Sequence, residues 1–411
     1  MGHGVWRGIG AVVLAATACS SSPSARDTRH PSRVRPSTPH SSPAPATSSP
    51  QRATGGPASA VPSPSPSTGN LAQRVLARMS EAERVGQLLM VDCPSTQVGA
   101  ATVTAIGTYH VGSVILDGTS ELGAPQTLRL VALLRGRAPA NVGLFVATDQ
   151  EGGQVQRLQG PGFSTIPSAV EQGALAPATL RADAERWATE LQTAGVNVSL
   201  GPVLDTVPAN FGSNPPIGDL DREFGHDPST VSSHGTAVVQ GVQAAGVSAT
   251  VKHFPGLGRV HGNPDLSAGV LDSLTTRHDP YLAPFAAAIG EGVAFVMMST
   301  AIYTRIDPRR PAAFSPLVVT AMLRGDLHFR GVIISDDVGA SKQASGLSAG
   351  ARAVAFIAAG GNVVLTVDAT QAPEMTTALL ARAKRDPKFK AQVDAAALVV
   401  LQAKQARGLL S

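Results

Sequence analysis

Eight times between residues 85 and 368 the chain passes through a short apolar, largely β-branched run, and nearly every one ends in a polar residue. The runs are VGQLLMVD (85–92), VGSVILDG (111–118), VGLFVATD (142–149), VNVSLGPVLD (196–205), VSATVKHF (247–254), VAFVMMST (293–300), GVIISDD (331–337) and NVVLTVD (362–368). Continuous apolar runs of this length suit strands covered on both faces, as in a parallel sheet. Segments with helical spacing lie between them. In Pro177 to Thr193, Leu180, Ala184, Trp187 and Leu191 recur at helical intervals and Gly195 follows as a stop. Asp227-Pro228 opens another helix that ends near Gly246, with proline in the first turn and glycine past the end. Eight strands alternating with helices predict a single α/β domain, a (β/α)8 TIM barrel. An open doubly wound sheet would carry a glycine-rich phosphate turn after its first strand, and none is present.

Barrels of this kind hold their chemistry at the C-terminal ends of the strands. Those ends carry Asp149, Asp205, Lys252, His253, Asp336 and Asp368. Six ionisable residues at one predicted mouth point to an enzyme rather than a structural protein. Asp205 and Asp368 read equally well as caps or solvated loop residues.

The rest of the chain divides in three. Residues 1–18 read as an export signal: Arg7 precedes an apolar stretch from Ile9 to Ala18, too short to span a bilayer of ~30 Å. It ends in Ala16-Thr17-Ala18-Cys19, which resembles a bacterial lipobox with alanine where leucine is usual, so Cys19 is expected to be lipidated. Residues 19–70, rich in Ser, Pro, Thr and Ala, offer almost nothing to bury and are expected to form a disordered tether. The barrel is expected over 71–411. These features imply an extracytoplasmic, membrane-anchored protein. The formal charge of +4 is uneven, because residues 1–70 hold six arginines against one aspartate, which leaves the remainder at −1. A near-neutral folded part argues against nucleic acid as a partner. The other cysteine, Cys93, reads as a buried small apolar residue.

Three local sequences are specific: DQEGGQVQR (149–157), KHFPGLGRV (252–260) and GVIISDDVG (331–339). The paired glycines of the first allow a tight turn that lets Asp149 and Arg157 face one cavity. The second sets a cation beside an imidazole, and the third ends a buried strand in two carboxylates. With GPVLDT (201–206), NPPIGDLDREFG (214–225) and RPAAFSPLVV (310–319), these motifs resemble glycoside hydrolase family 3, within it the bacterial β-N-acetylglucosaminidases.

The resemblance implies that Asp336 is the nucleophile of a retaining hydrolase and that Asp337 is a structural neighbour. It implies that Asp149, Arg157, Arg222, Lys252 and His253 bind the terminal sugar. No cofactor is called for, and the sequence offers no compact metal-ligand spacing. The chain departs from the family pattern in the catalytic loop. Leu257 stands where the subgroup carries a histidine, and Asp265-Leu266-Ser267 stands where Asp-Ser-His is usual. Two readings of the general acid/base follow: His261 oriented by Asp265, or Asp265 alone.

The expected activity is removal of terminal N-acetyl-β-D-glucosamine from wall-derived or other amino sugars by a monomeric enzyme. A family β-glucosidase or β-xylosidase is disfavoured, since such relatives usually carry a further domain supplying a glutamate and this chain ends soon after Asp336. A phosphorolytic enzyme is a further reading, and so is an inactive sugar-binding lipoprotein. The retained Asp336 counts against the latter.

Overall fold

The computed structural model describes residues 71–411. The expected signal segment 1–18, the tether 19–70 and the lipidation site Cys19 lie outside the described residues.

Eight strands form one parallel sheet: β1 (Leu89–Pro94), β2 (Ser113–Asp117), β3 (Phe145–Thr148), β4 (Val198–Ser199), β5 (Ser248–Phe254), β6 (Phe295–Met298), β7 (Val332–Ser335) and β8 (Val364–Thr366). They neighbour one another in chain order from β1 to β7, β8 lies against β1, and a bridge between Ile334 and Val363 brings β7 against the approach to β8. A helix or helical segment follows each strand, including Pro177–Thr193 after β3 and Pro228–Ala244 after β4, as the spacing predicts. Asp227 caps the latter by accepting from the amides of Ser229 and Thr230, both at 2.9 Å.

All eight predicted runs contain a barrel strand, with two local differences. The first run begins too early: Val85 and Gly86 end the helix Glu81–Gly86, which a reciprocal Ser80–Glu83 capping box starts. The fourth run forms regular strand only at Val198 and Ser199; Pro202 has no N–H to donate, and beyond it the run meets β5 again through a bridge between Val203 and Lys252.

The strand period of two explains why both faces are apolar. Met90, Ile115, Phe145, Val198, Phe295, Met297, Val332 and Ile334 point into the barrel, where Phe145 and Phe295 meet edge to face at 5.3 Å. Their neighbours Leu89, Val91, Val296 and Ile333 point outward against the helices. Truncating an aromatic in such a core costs ~3–5 kcal/mol. The C-terminal helix Pro387–Ala406 closes the N-terminal end, with Val400 packed into the barrel interior. One turn on, the fully buried amine of Lys404 donates to Gln87 Oε1 (2.6 Å) and the Gly112 carbonyl (2.8 Å) beneath the Phe145 ring. Burial pushes this amine down to about 7.

Candidate active site

The first motif leaves β3 as a small antiparallel ribbon, Gln150–Gly152 against Val155–Gln156. Its turn needs glycine: Gly152 and Gly153 have φ of 109° and 53°, and a Cβ on Gly152 would lie 2.1 Å from the Pro167 carbonyl. The turn returns the chain so that the Arg157 amide donates to the Asp149 carbonyl at 3.1 Å. Two residues beyond Asp149, Glu151 becomes the centre of a buried ionic network. Lys252, the cation near the end of β5, reaches Asp149 Oδ1 at 2.5 Å and Glu151 Oε1 at 2.6 Å. Arg222 grips Glu151 through Nε and Nη2, both at 2.8 Å, and donates Nη1 to the Pro216 carbonyl at 2.7 Å.

Burial alone would raise the Glu151 carboxyl, but Arg222 and Lys252 outweigh it and hold the group well below the ordinary carboxylate range. Burial likewise opposes the charge on Lys252, and Asp149 and Glu151 overcome it, leaving the amine raised. Glu151, Arg222 and Lys252 are therefore all charged at neutral pH. Arg157 differs: its guanidinium has no partner among the described residues, and its Nε is buried without one. A polar ligand in the mouth would supply what it lacks.

Asp205 is neither a cap nor a solvated residue. It is fully buried and accepts from the His253 amide (3.2 Å), the Leu257 amide (2.7 Å) and His253 Nδ1 (2.7 Å). With Nδ1 directed at the carboxylate, Nε2 is the ring nitrogen that Asp205 leaves free. Asp368 does act as a cap, accepting from the Thr370 amide at 2.9 Å. Asp337 is held structurally by the amides of Gly339 (2.8 Å), Ala340 (3.0 Å) and Val367 (3.1 Å).

Asp336 stands at the end of β7, half-buried, its amide bonded to the Met298 carbonyl at 3.0 Å. Burial, and next the negative charge of Asp265, push its carboxyl up to about 6 against the pull of His253 and Lys252. Asp265 reaches this neighbourhood because its loop is tied to the segment that follows Asp336. The Lys342 amide donates to the Asp265 carbonyl (3.2 Å), the Gln343 amide to the Pro264 carbonyl (3.0 Å), and the Ser341 hydroxyl to the same Pro264 carbonyl (3.0 Å). Asp265 lies on the exposed rim, yet the protein around its carboxyl excludes enough water to raise it, with Asp337 adding to the effect and His253 opposing it.

The expected pairing of His261 with Asp265 is not formed. The imidazole of His261 stacks on Phe211 at 4.3 Å with 7° between the planes, and Nδ1 faces the Ser213 carbonyl at 3.4 Å. The reason lies at the root of the loop. Leu257 is buried, its amide is taken by Asp205, and Asn214 Nδ2 holds the Leu257 and Val260 carbonyls at 2.9 and 2.8 Å. A Cβ on Gly258 would lie 1.9 Å from the Thr206 carbonyl, so the loop runs tight against the barrel before it reaches His261.

A parallel barrel that gathers carboxyl groups and buried cations at the C-terminal ends of its strands has the architecture of an enzyme. The chain belongs to glycosyl hydrolase family 3, whose N-terminal domain model matches residues 81–403. A β-hexosaminidase of Stenotrophomonas maltophilia is 35% identical over 289 residues, which are 68% of this chain and 82% of that protein. Among solved structures, a β-N-acetylhexosaminidase of Beutenbergia cavernae is 49% identical, with a TM-score of 0.79 over 80% of this chain and 99% of that one. A family 3 β-N-acetylglucosaminidase of Paenibacillus is 30% identical, with a TM-score of 0.75 over 80% of this chain and 63% of that one. The protein is thus a glycoside hydrolase.

Proposed function

We propose that the protein removes terminal non-reducing N-acetyl-β-D-glucosamine with retention of configuration, Asp336 acting as nucleophile and Asp265 as general acid/base. The observation that carries this reading is that the loop bearing Asp265 is bonded to residues 341–343, just past Asp336, so that both carboxyl groups stand at the mouth. Retaining hydrolysis needs two carboxyl groups close together, one ionised to attack the anomeric carbon and one protonated to release the leaving oxygen. Asp336, ionised, forms a bond to that carbon as the Asp265 proton passes to the departing oxygen. Asp265, now ionised, then takes a proton from water as its oxygen attacks the same carbon and frees Asp336. Lys252 and His253 favour the charged form of Asp336. Asp149 accepts hydroxyl hydrogen bonds, and Arg157, which has no side-chain partner among the described residues, donates to them. Arg222 keeps two of its five N–H groups for the sugar; its other three hold Glu151 and Pro216.

An anionic acid/base also bears on phosphorolysis. After the first step the Asp265 carboxylate would repel an incoming phosphate, whereas water is not repelled, so hydrolysis is favoured.

The test is incubation with 4-nitrophenyl N-acetyl-β-glucosaminide and the matching glucoside and xyloside, with and without phosphate, followed by trapping with a 2-fluoro sugar. Release from the first substrate alone, independent of phosphate, with label on Asp336 is the expected result. Label on Asp337 or Asp149 would overturn the assignment. We further propose that Cys19 anchors the enzyme to the extracytoplasmic membrane face, acting on wall-derived amino sugars. Membrane fractionation of Cys19→Ala tests this, and an unchanged distribution and mass would refute it.

A further inference from the structure

At the N-terminal face of the barrel, opposite the mouth, the starts of β5, β6 and β7 and the C-terminal helix border an open pocket of about 460 Å³. That volume falls in the range of small-molecule sites. Ile289 and Val399 give it an apolar wall, while Arg330, Arg407 and His328 supply cationic or titratable groups and Ser248 a hydroxyl; no carboxylate of the described residues lines it. Arg407 spends only its Nε, donated to Ser248 Oγ at 2.9 Å, so its terminal nitrogens are left over. Arg330 gives Nη1 to the Arg324 carbonyl at 3.1 Å. Behind it, Arg324 is occupied by the carbonyls of Phe329 (3.0 Å) and Gly331 (2.7 Å) and by Asn362 Oδ1 (2.6 Å).

None of these three arginines meets a carboxylate among the described residues. The acid nearest His328, Asp326, is held by Arg277 through two contacts of 2.7 and 2.8 Å. The excess positive charge is felt locally: burial, and next repulsion from Arg330, lower the Arg324 guanidinium to about 10. Guanidinium groups with open N–H pairs match the oxygens of phosphate and carboxylate, and two of them balance a dianion.

We propose that this cavity is a second ligand site, separate from the mouth, which takes a phosphomonoester of monosaccharide size. The phosphate lies between Arg330 and Arg407 with the Ser248 hydroxyl as a further donor. The body of the ligand rests on Ile289 and Val399. Free inorganic phosphate shares the head-group chemistry and is the competing source.

The experiment is calorimetric titration of the full chain with a hexose 6-phosphate, inorganic phosphate and the neutral hexose, the mouth being saturated with N-acetylglucosamine. The hexose phosphate should bind more tightly than inorganic phosphate, and the neutral hexose not at all. Arg330→Gln and Arg407→Gln should each weaken binding by ~10-fold or more and leave aryl glycoside hydrolysis unchanged. Equal affinity for hexose phosphate and inorganic phosphate would show that only the anion is recognised and overturn the ester assignment. Absence of binding, or binding that both variants retain, would overturn the site itself. Arg330 is exposed, so its variant keeps the test valid even where Arg407→Gln disturbs the barrel end.

Discussion

Replacing Asp265 by Asn separates two effects that its carboxyl is expected to have, on the leaving group and on Asp336. The Asp336 carboxyl stands near 6 rather than 3.8, a displacement worth ~3 kcal/mol in favour of its neutral form. Burial is the first cause and survives the substitution; the Asp265 charge is the second and does not. The ionised form of Asp336 is the reactive one, so kcat/KM should fall as pH drops through about 6 in the wild type. In the variant that acid limb should move down, to a point between ~4 and the wild-type position. Turnover of a disaccharide should fall by ~10²–10⁴-fold through loss of proton donation, while glycosylation by an aryl glycoside with a good leaving group should suffer far less. The assay is a pair of pH–rate profiles on those two substrates. An unmoved acid limb together with equal losses on both substrates would refute the reasoning. If His261→Ala alone reproduced the leaving-group dependence, the assignment would pass to the histidine.

Glu151→Gln should cost ~3–5 kcal/mol of stability, because it strips a fully desolvated anion from Lys252 and Arg222; urea unfolding with an unchanged midpoint would contradict it. Lys404 should make stability rise with pH between about 7, its value in the fold, and ~10.4, its value in the unfolded chain, where the unfolded state binds the extra proton. Lys404→Met should remove that slope of ~1.4 kcal/mol per pH unit, and parallel unfolding curves for the two proteins would show that the buried amine stays charged.

The barrel was legible because a strand buried on both faces must be apolar at every position, and eight such runs have few other uses. Asp149, Lys252, His253 and Asp336 could be anticipated for the same reason: a strand that ends on a charge delivers it to the mouth. Glu151 was overlooked although its signal was present, since residue i+2 of an extended segment shares the side of residue i. Which polar group of the 256–270 loop faces inward was not legible. That choice rests on hydrogen bonds between Pro264 or Asp265 and residues 341–343, more than seventy positions away, and on Leu257 filling the loop's root. Lys404 hides for a similar reason, as a lysine in a helix ordinarily marks the solvent face.

The stitching of the Asp265 loop to the segment behind β7 bears on how the enzyme loses activity. A freely hinged loop would melt on its own, and turnover would fade at temperatures where the barrel is still intact. Here the backbone that carries Asp265 is bonded to residues 341–343, and at the loop's other end the Leu257 amide is held by Asp205, which is sealed in the core. Detaching either end means opening part of the barrel wall. Inactivation and cooperative unfolding are thereby made one event, and residual turnover serves as a gauge of how much of the barrel remains closed.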